Sequence, residues 1–401
     1  MSFLSTTQIQ QRILLDFPKD YSQILAEIKE IMPDVTEEQV AFWERTKALE
    51  YVTINGEKRY FRRAARNVFR IDPEAKAFYI AKYGDEKAGR TSFLSDYLSG
   101  IIHKRDECEF EFCFTLTVKP DVVPDGETIR CWLPQPIECK YQSFTPLIRD
   151  TEIKAPSVHS SLYIEKKAVK AIPTRFETSF RFKSKSFFYS TDTSTQESFN
   201  HEDLAEQVPH IVFTERIKQL SLQIVGKEAD KQCIARKIFS WISDNIVWAV
   251  AREYSTIANI PEYVIEHRYG DCGQVTLLFM TLCRYNGIPA RWLSGFMLHP
   301  KYENLHDWCE IFIDSLGWVP VDVSFGIQRY SNDEAIKFFY FMGIDAFRLV
   351  VNRGIAGEFS PAKLYPRSET IDFQRGEVEW RGGNIYFDHF DYDFNVSVIN
   401  G

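Results

Sequence analysis

Arg268-Tyr269-Gly270-Asp271-Cys272-Gly273-Gln274 is the stretch on which the reading of this chain turns. Beyond it, Val275, Leu278, Phe279 and Leu282 fall at i, i+3, i+4 and i+7, which predicts a helix with one buried face. Asp271 suits the N-cap and Asn286-Gly287 the stop, so Cys272 falls in the first turn. Unpaired backbone amides at that end favour negative charge, so the expectation is a thiol of lowered pKa. Cys283, on the same helix, reads as a packed thiol. A buried structural cysteine is the competing reading of Cys272 taken alone.

Downstream, Leu305-His306-Asp307-Trp308-Cys309-Glu310-Ile311-Phe312-Ile313 reads as a strand and Trp318-Val319-Pro320-Val321-Asp322-Val323 as its returning partner. A three-residue loop, Asp314 to Leu316, sets Trp308 opposite Asp322. His306 and Asp322 then become diagonal neighbours on one face, ~7–8 Å apart at the backbone, which long side chains bridge. A loop of even length would put them on opposite faces. A lone strand histidine is more often structural. A helix-start Cys, a strand His and an Asp on the returning strand together form the nucleophile, base and orienter pattern of thiol acyl transfer. Trp248 is a candidate second oxyanion donor beside the Cys272 backbone amide, with a packed indole as the alternative. Trp308 is a candidate shield of the His–Asp pair from water, and Glu310 reads as a solvated strand residue.

These residues resemble the transglutaminase-like core. Gly270-Asp271-Cys272, His306-Asp307-Trp308 and Gly317-Trp318 with Asp322 match its three motifs, and Gly287-Ile288-Pro289-Ala290-Arg291 matches its intervening turn. The resemblance covers about residues 205 to 330, and a sandwich ahead of the core is similar to bacterial multidomain relatives. It implies a papain-like α+β core with Cys272 as nucleophile, His306 as base and Asp322 as orienter. One departure is Asp322-Val323-Ser324, where relatives carry Asp-Pro-Thr or Asp-Pro-Ser; it puts the local turn in question.

Outward from the core the texture changes. Residues 1–103 read as helical: Ile24, Leu25, Ile28, Ile31 and Met32 are helically spaced, and Thr36-Glu37-Glu38-Gln39 is a capping box. Residues 104–198 alternate with period two, as in Phe110, Phe112, Phe114 and Leu116, which predicts an antiparallel β-sandwich closed by a linker from Ser190 to Ser198. The catalytic core is assigned to 199–330, with helices over 211–225 and 229–245, and 331–401 to an extension packing on it. The fold class expected is therefore α+β throughout.

A net charge of −8 argues against general affinity for nucleic acid or anionic membranes. The basic run from Lys58 to Arg66 reads as a solvated helix face. No apolar stretch reaches the ~18 residues of a bilayer span, and no signal peptide is evident. An extracytoplasmic location is left open. The eight cysteines lack zinc-ligand spacing and read as core thiols, with one or two disulfides left open for an exported chain. No metal or cofactor is expected.

Three functions compete. A hydrolase, protease or amidase, would resolve a thioester with water. A protein-glutamine γ-glutamyltransferase would resolve it with an amine, and both expect a peptide or protein substrate. An inactive peptide- or glycan-binding protein would keep only the fold.

Overall fold

The computed structural model describes residues 4–85, 88–102, 104–146, 158–188 and 197–400. The fold is α+β, with its larger sheets antiparallel. The expected linker lies mostly on 189–196, outside the described residues.

At the centre is the helix Cys272–Tyr285. It is buried from Gly273 to Arg284, where the sequence predicted one buried face. The residues between the periodic positions are themselves apolar, such as Leu277 and Met280, and those that are polar bond inward. Thr281 Oγ1 donates to Leu277 O at 2.7 Å, and Arg284 reaches Ala290 O through Nε and Nη2 at 3.0 and 2.7 Å. Around it pack the helices Glu215–Val225, Lys231–Asn245 and Ile260–His267, the first two shorter at their starts than predicted because Thr214 and Asp230 serve as N-caps.

One face of this helical group rests on a four-stranded sheet made of Gly317–Val321, Asn304–Ile313, Ala290–Met297 and Arg348–Arg353, in that order. Ile313 pairs with Gly317 and Cys309 with Val321, the register of a three-residue loop. Glu310, expected in solvent, is buried: the strand is covered on both faces, and Arg291 Nε and Tyr141 Oη bond its carboxylate at 2.6 and 3.2 Å.

Two further four-stranded sheets use the alternating segment. Glu107–Val118 pairs with Thr174–Lys185, and Thr128–Gln135 with Ser160–Lys167. Residues 331–401, read as an extension on the core, divide. Arg348–Arg353 joins the core sheet, whereas Glu377–Trp380 pairs with Thr128–Gln135 and Phe390–Asn400 with Glu107–Val118. The core sheet also sends Phe296 and Leu349 into the apolar cluster of the alternating strands, so two layers share one interior.

The first hundred residues are mainly helical, and Thr36 and Gln39 form the predicted capping box. A hairpin, Tyr51–Ile54 with Glu57–Tyr60, interrupts them, its turn at Asn55-Gly56 with φ of 52° and 84°. Lys58 and Arg59 of the basic run belong to that hairpin. All eight cysteines are free, and no described helix is long and apolar enough to cross a membrane.

The pairing of Ala290–Met297 with Arg348–Arg353 shifts register between Ser294 and Gly295. A Cβ at Gly295 would lie 1.8 Å from Leu349 O, a backbone atom that cannot swing aside. Gly295→Ala is expected to cost about 2–3 kcal/mol, read as a lowered denaturant midpoint; an unchanged midpoint would refute the close approach.

Candidate active site

The chain enters the cysteine helix through a short parallel pairing in which Tyr269 faces Val247 and Gly270 faces Trp248. Asp271 then caps it: its Oδ1 accepts from Gln274 N at 3.0 Å while Gln274 Oε1 accepts from Asp271 N. Cys272 is left half-buried at the first helical position. Its Sγ lies 3.5 Å from Asp307 Oδ2. The sulfur therefore rests against the residue next to His306.

His306 Nε2 and Asp322 Oδ2 are 2.7 Å apart, the diagonal contact that the strand register predicted. Asp322 Oδ2 also accepts from Arg348 Nη2 at 3.1 Å, and its Oδ1 from Ser324 Oγ at 2.9 Å and Phe325 N at 3.4 Å. Ser324 thus closes the turn that the departure from the family motif had left open. The Trp308 ring stacks on the imidazole, 5.8 Å between centroids at 21°, and Phe325 meets it edge-on at 5.3 Å. Cys272, His306 and Trp248 open onto one cavity of about 450 Å³.

Electrostatics correct one expectation. Burial, with Asp307 and Asp271 adding to it, pushes the Cys272 thiol well up rather than down. The helix-end amides act on the sulfur, but its half-buried place beside carboxyl groups outweighs them. Burial likewise lowers His306, against the pull of Asp322. For Asp322, His306 and Arg348 overcome burial and hold the carboxyl below its ordinary value. The resting pair is therefore a neutral thiol and a neutral imidazole beside a buried carboxylate.

Sequence reading missed several neighbours. Tyr254 Oη donates to Asp271 Oδ1 at 2.7 Å and approaches Asp307 Oδ2 at 3.4 Å. A Cβ on Gly273 would lie 2.2 Å from that hydroxyl, which explains a glycine directly after Cys272. From the far end of the chain, Gln374 Nε2 donates to His306 O and Asp307 Oδ1 at 2.8 and 3.0 Å. Arg375 forks onto Glu253 at 2.9 and 3.1 Å and reaches Glu369. Only Asp307 had a visible signal, its place between His306 and Trp308. Gln374 and Arg375 lie in an irregular stretch with no periodicity to read.

Asp271 and Asp372, raised to about 6, and Glu369, raised to about 7, line the same cavity, burial being the first cause for each. A carboxyl raised on folding stabilises the fold in acid, and that contribution is lost as pH rises through the folded value. His159, His210 and His267, lowered to about 4 by burial, work in the opposite sense as pH falls below the ordinary imidazole range. The informative quantity is therefore a difference between variants. Asp372→Asn should gain about 1.4 kcal/mol over wild type at pH 8 compared with pH 5. Urea melts at the two values check it, and a pH-independent difference would refute it.

Residues 218–323 match the family described as the transglutaminase-like superfamily. Among solved structures, the chain is similar to a candidate cysteine protease from Cytophaga hutchinsonii at 12% identity, covering 74% of this chain and 93% of that one, with a TM-score of 0.47. It is also similar to the periplasmic domain of TgpA from Pseudomonas aeruginosa at 16% identity, covering 59% and 92%, with a TM-score of 0.33. No curated protein sequence matches the chain.

Proposed function

We propose that the chain, whose residues 218–323 match the transglutaminase-like superfamily, is a cysteine-dependent acyl-transfer enzyme acting on peptide or protein amides. The observation that carries this reading is the 2.7 Å His306–Asp322 contact opening on the same cavity as a helix-start cysteine.

In the proposed mechanism Asp322 engages Nε2 of His306, so Nδ1 is the nitrogen left to take the thiol proton. The Cys272 sulfur attacks the amide carbonyl carbon as its proton passes to the imidazole. Asp322 stabilises the imidazolium that results. The oxyanion takes the Cys272 backbone N–H and the Trp248 indole N–H as donors. Collapse breaks the C–N bond, and His306 returns the proton to the leaving amine. Water, deprotonated by the same imidazole, then attacks the thioester, releasing the acid and restoring the thiol. Hydrolysis is the preferred outcome because water is always at hand. One observation favours an amine acceptor instead: the carboxyl groups of Glu253, Asp271, Asp307, Glu369 and Asp372 line the cavity, alongside Arg252 and Arg375.

Mass spectrometry of a glutamine-containing peptide pool, incubated with the chain and a primary amine, separates these outcomes. Cleavage or a one-unit gain by deamidation supports hydrolysis, and an amine adduct supports transfer. Cys272→Ala should abolish every product; products that persist would refute the proposal.

Because burial raises this thiol, fast alkylation near neutrality requires the imidazole. With the exposed Cys233 as internal reference, Cys272 should react with iodoacetamide roughly tenfold faster or more, if the base contributes its usual 10²–10⁴ in part. Since His306 is lowered, the acid limb should fall below the ordinary imidazole value of 6.5. His306→Ala should remove both the excess rate and the limb. A Cys272 no faster than Cys233 counts against the base.

A further inference from the structure

We propose that Arg66, Arg70 and Arg90 form a carboxylate-binding subsite, so that the acyl donor carries a carboxylate near the amide presented to Cys272. The proposal rests on the acyl-transfer reading of the site and specifies its substrate.

The three arginines, with Trp248, line two adjoining spaces. One is the cavity of Cys272 and His306; the other, of about 210 Å³, lies between the first hundred residues and Val247-Trp248. Among the described residues, Lys76 adds a fourth cation to the smaller space, which Asp85 also lines. This concentration of positive charge runs against a chain whose net charge is −8. Arg66 is the last residue of the basic run that the sequence suggested was a solvated face. Arg66 is exposed, as that reading had it, and it and the half-buried Arg70, one turn on in the helix Ala64–Ile71, also line the cleft.

Arg90 is the most telling of the three. It is half-buried and makes no ion pair or hydrogen bond among the described residues. Its guanidinium lies 5.2 Å from the centre of the Phe325 ring, and that ring meets His306 edge-on. One aromatic ring thus separates an unpaired cation from the proposed base. Asp322, the buried acid whose charge reaches Arg90, is already engaged by His306 and Arg348. Holding a guanidinium out of water without a counter-charge is costly, and a ligand carboxylate would offset that cost. The planar fork suits a carboxylate by two parallel hydrogen bonds. Arg70, 4.7 Å from the centre of the Trp248 ring, is held by stacking, so little side-chain freedom is lost on binding.

Occupancy would also act on the chemistry. Arg90 is one of the cations that lower His306. A bound carboxylate would cancel part of that field and make the imidazole a better base when the donor is in place.

The carboxylate could be a free C-terminus or an acidic side chain. The probe is one glutamine-containing peptide in three forms: a C-terminal amide without acidic residues, a free acid, and a C-terminal amide with one Glu. Binding to the intact Cys272→Ala chain is measured by calorimetry at low and high salt. At least one carboxylate form should bind roughly tenfold or more tightly than the neutral amide, with the advantage shrinking in salt, and the form preferred identifies the source. Arg90→Gln in the same background should lose most of the advantage, and Arg90→Lys should regain part of it. Equal binding of the three forms, no binding by any, or an advantage that survives Arg90→Gln overturns the subsite. Should Arg90→Gln fail to fold, the three-form comparison decides alone. Thiol-dependent turnover by the wild-type chain without carboxylate preference would overturn the subsite and leave the enzyme. Carboxylate-selective binding without thiol-dependent turnover would do the reverse.

Discussion

Asp322 is fully buried yet keeps its charge, because His306 and Arg348 converge on one of its oxygens while Ser324 and Phe325 N serve the other. Arg348 is itself fully buried and shared with Asp345, which also meets His299 at 3.1 Å. Charges this far from water persist only when each has a partner in good geometry. The network therefore ties together strand Asn304–Ile313, the end of Gly317–Val321 and the start of Arg348–Arg353. Displacing any one of these strands would strand a charge in the interior. The orientation of the imidazole in the cleft is a consequence of that constraint.

The cleft is assembled from distant parts of the chain. Cys272 comes from the central helix and His306 from the sheet. Gln374 and Arg375 arrive from the segment leading to the last strands, and Arg66, Arg70 and Arg90 from the first hundred residues. The early segment is locked in place by polar contacts: Asn67 exchanges two hydrogen bonds with Val250, at 2.9 and 3.0 Å, and Asp16 accepts from Glu253 N at 2.8 Å. The flanking regions thereby become walls of the site. Arginines and carboxyl groups both line it, and Arg375 bonds Glu253 and Glu369 within it.

Much of this was legible wherever periodicity or a cap wrote it locally. The N-cap at Asp271, the capping box at Thr36 and the strands of the alternating segment follow from side-chain spacing alone. The three-residue loop placed His306 beside Asp322 because strand pairing is arithmetic once the turn is known. The hairpin at Asn55-Gly56 was overlooked although its dipeptide is a strong turn signal. Glu310 and the full burial of the central helix were misread because local pattern does not report what a neighbouring layer covers.

The sequence by itself determined the helix-start cysteine, the histidine strand and its returning aspartate, for these depend on short-range geometry. Only the tertiary structure decided the protonation of Cys272, the partner that holds Asp322 charged, the strands that 377–400 complete, and the arginines that face the cleft. Burial and long-range charge set these, and both are sums over residues that the chain brings together from hundreds of positions apart.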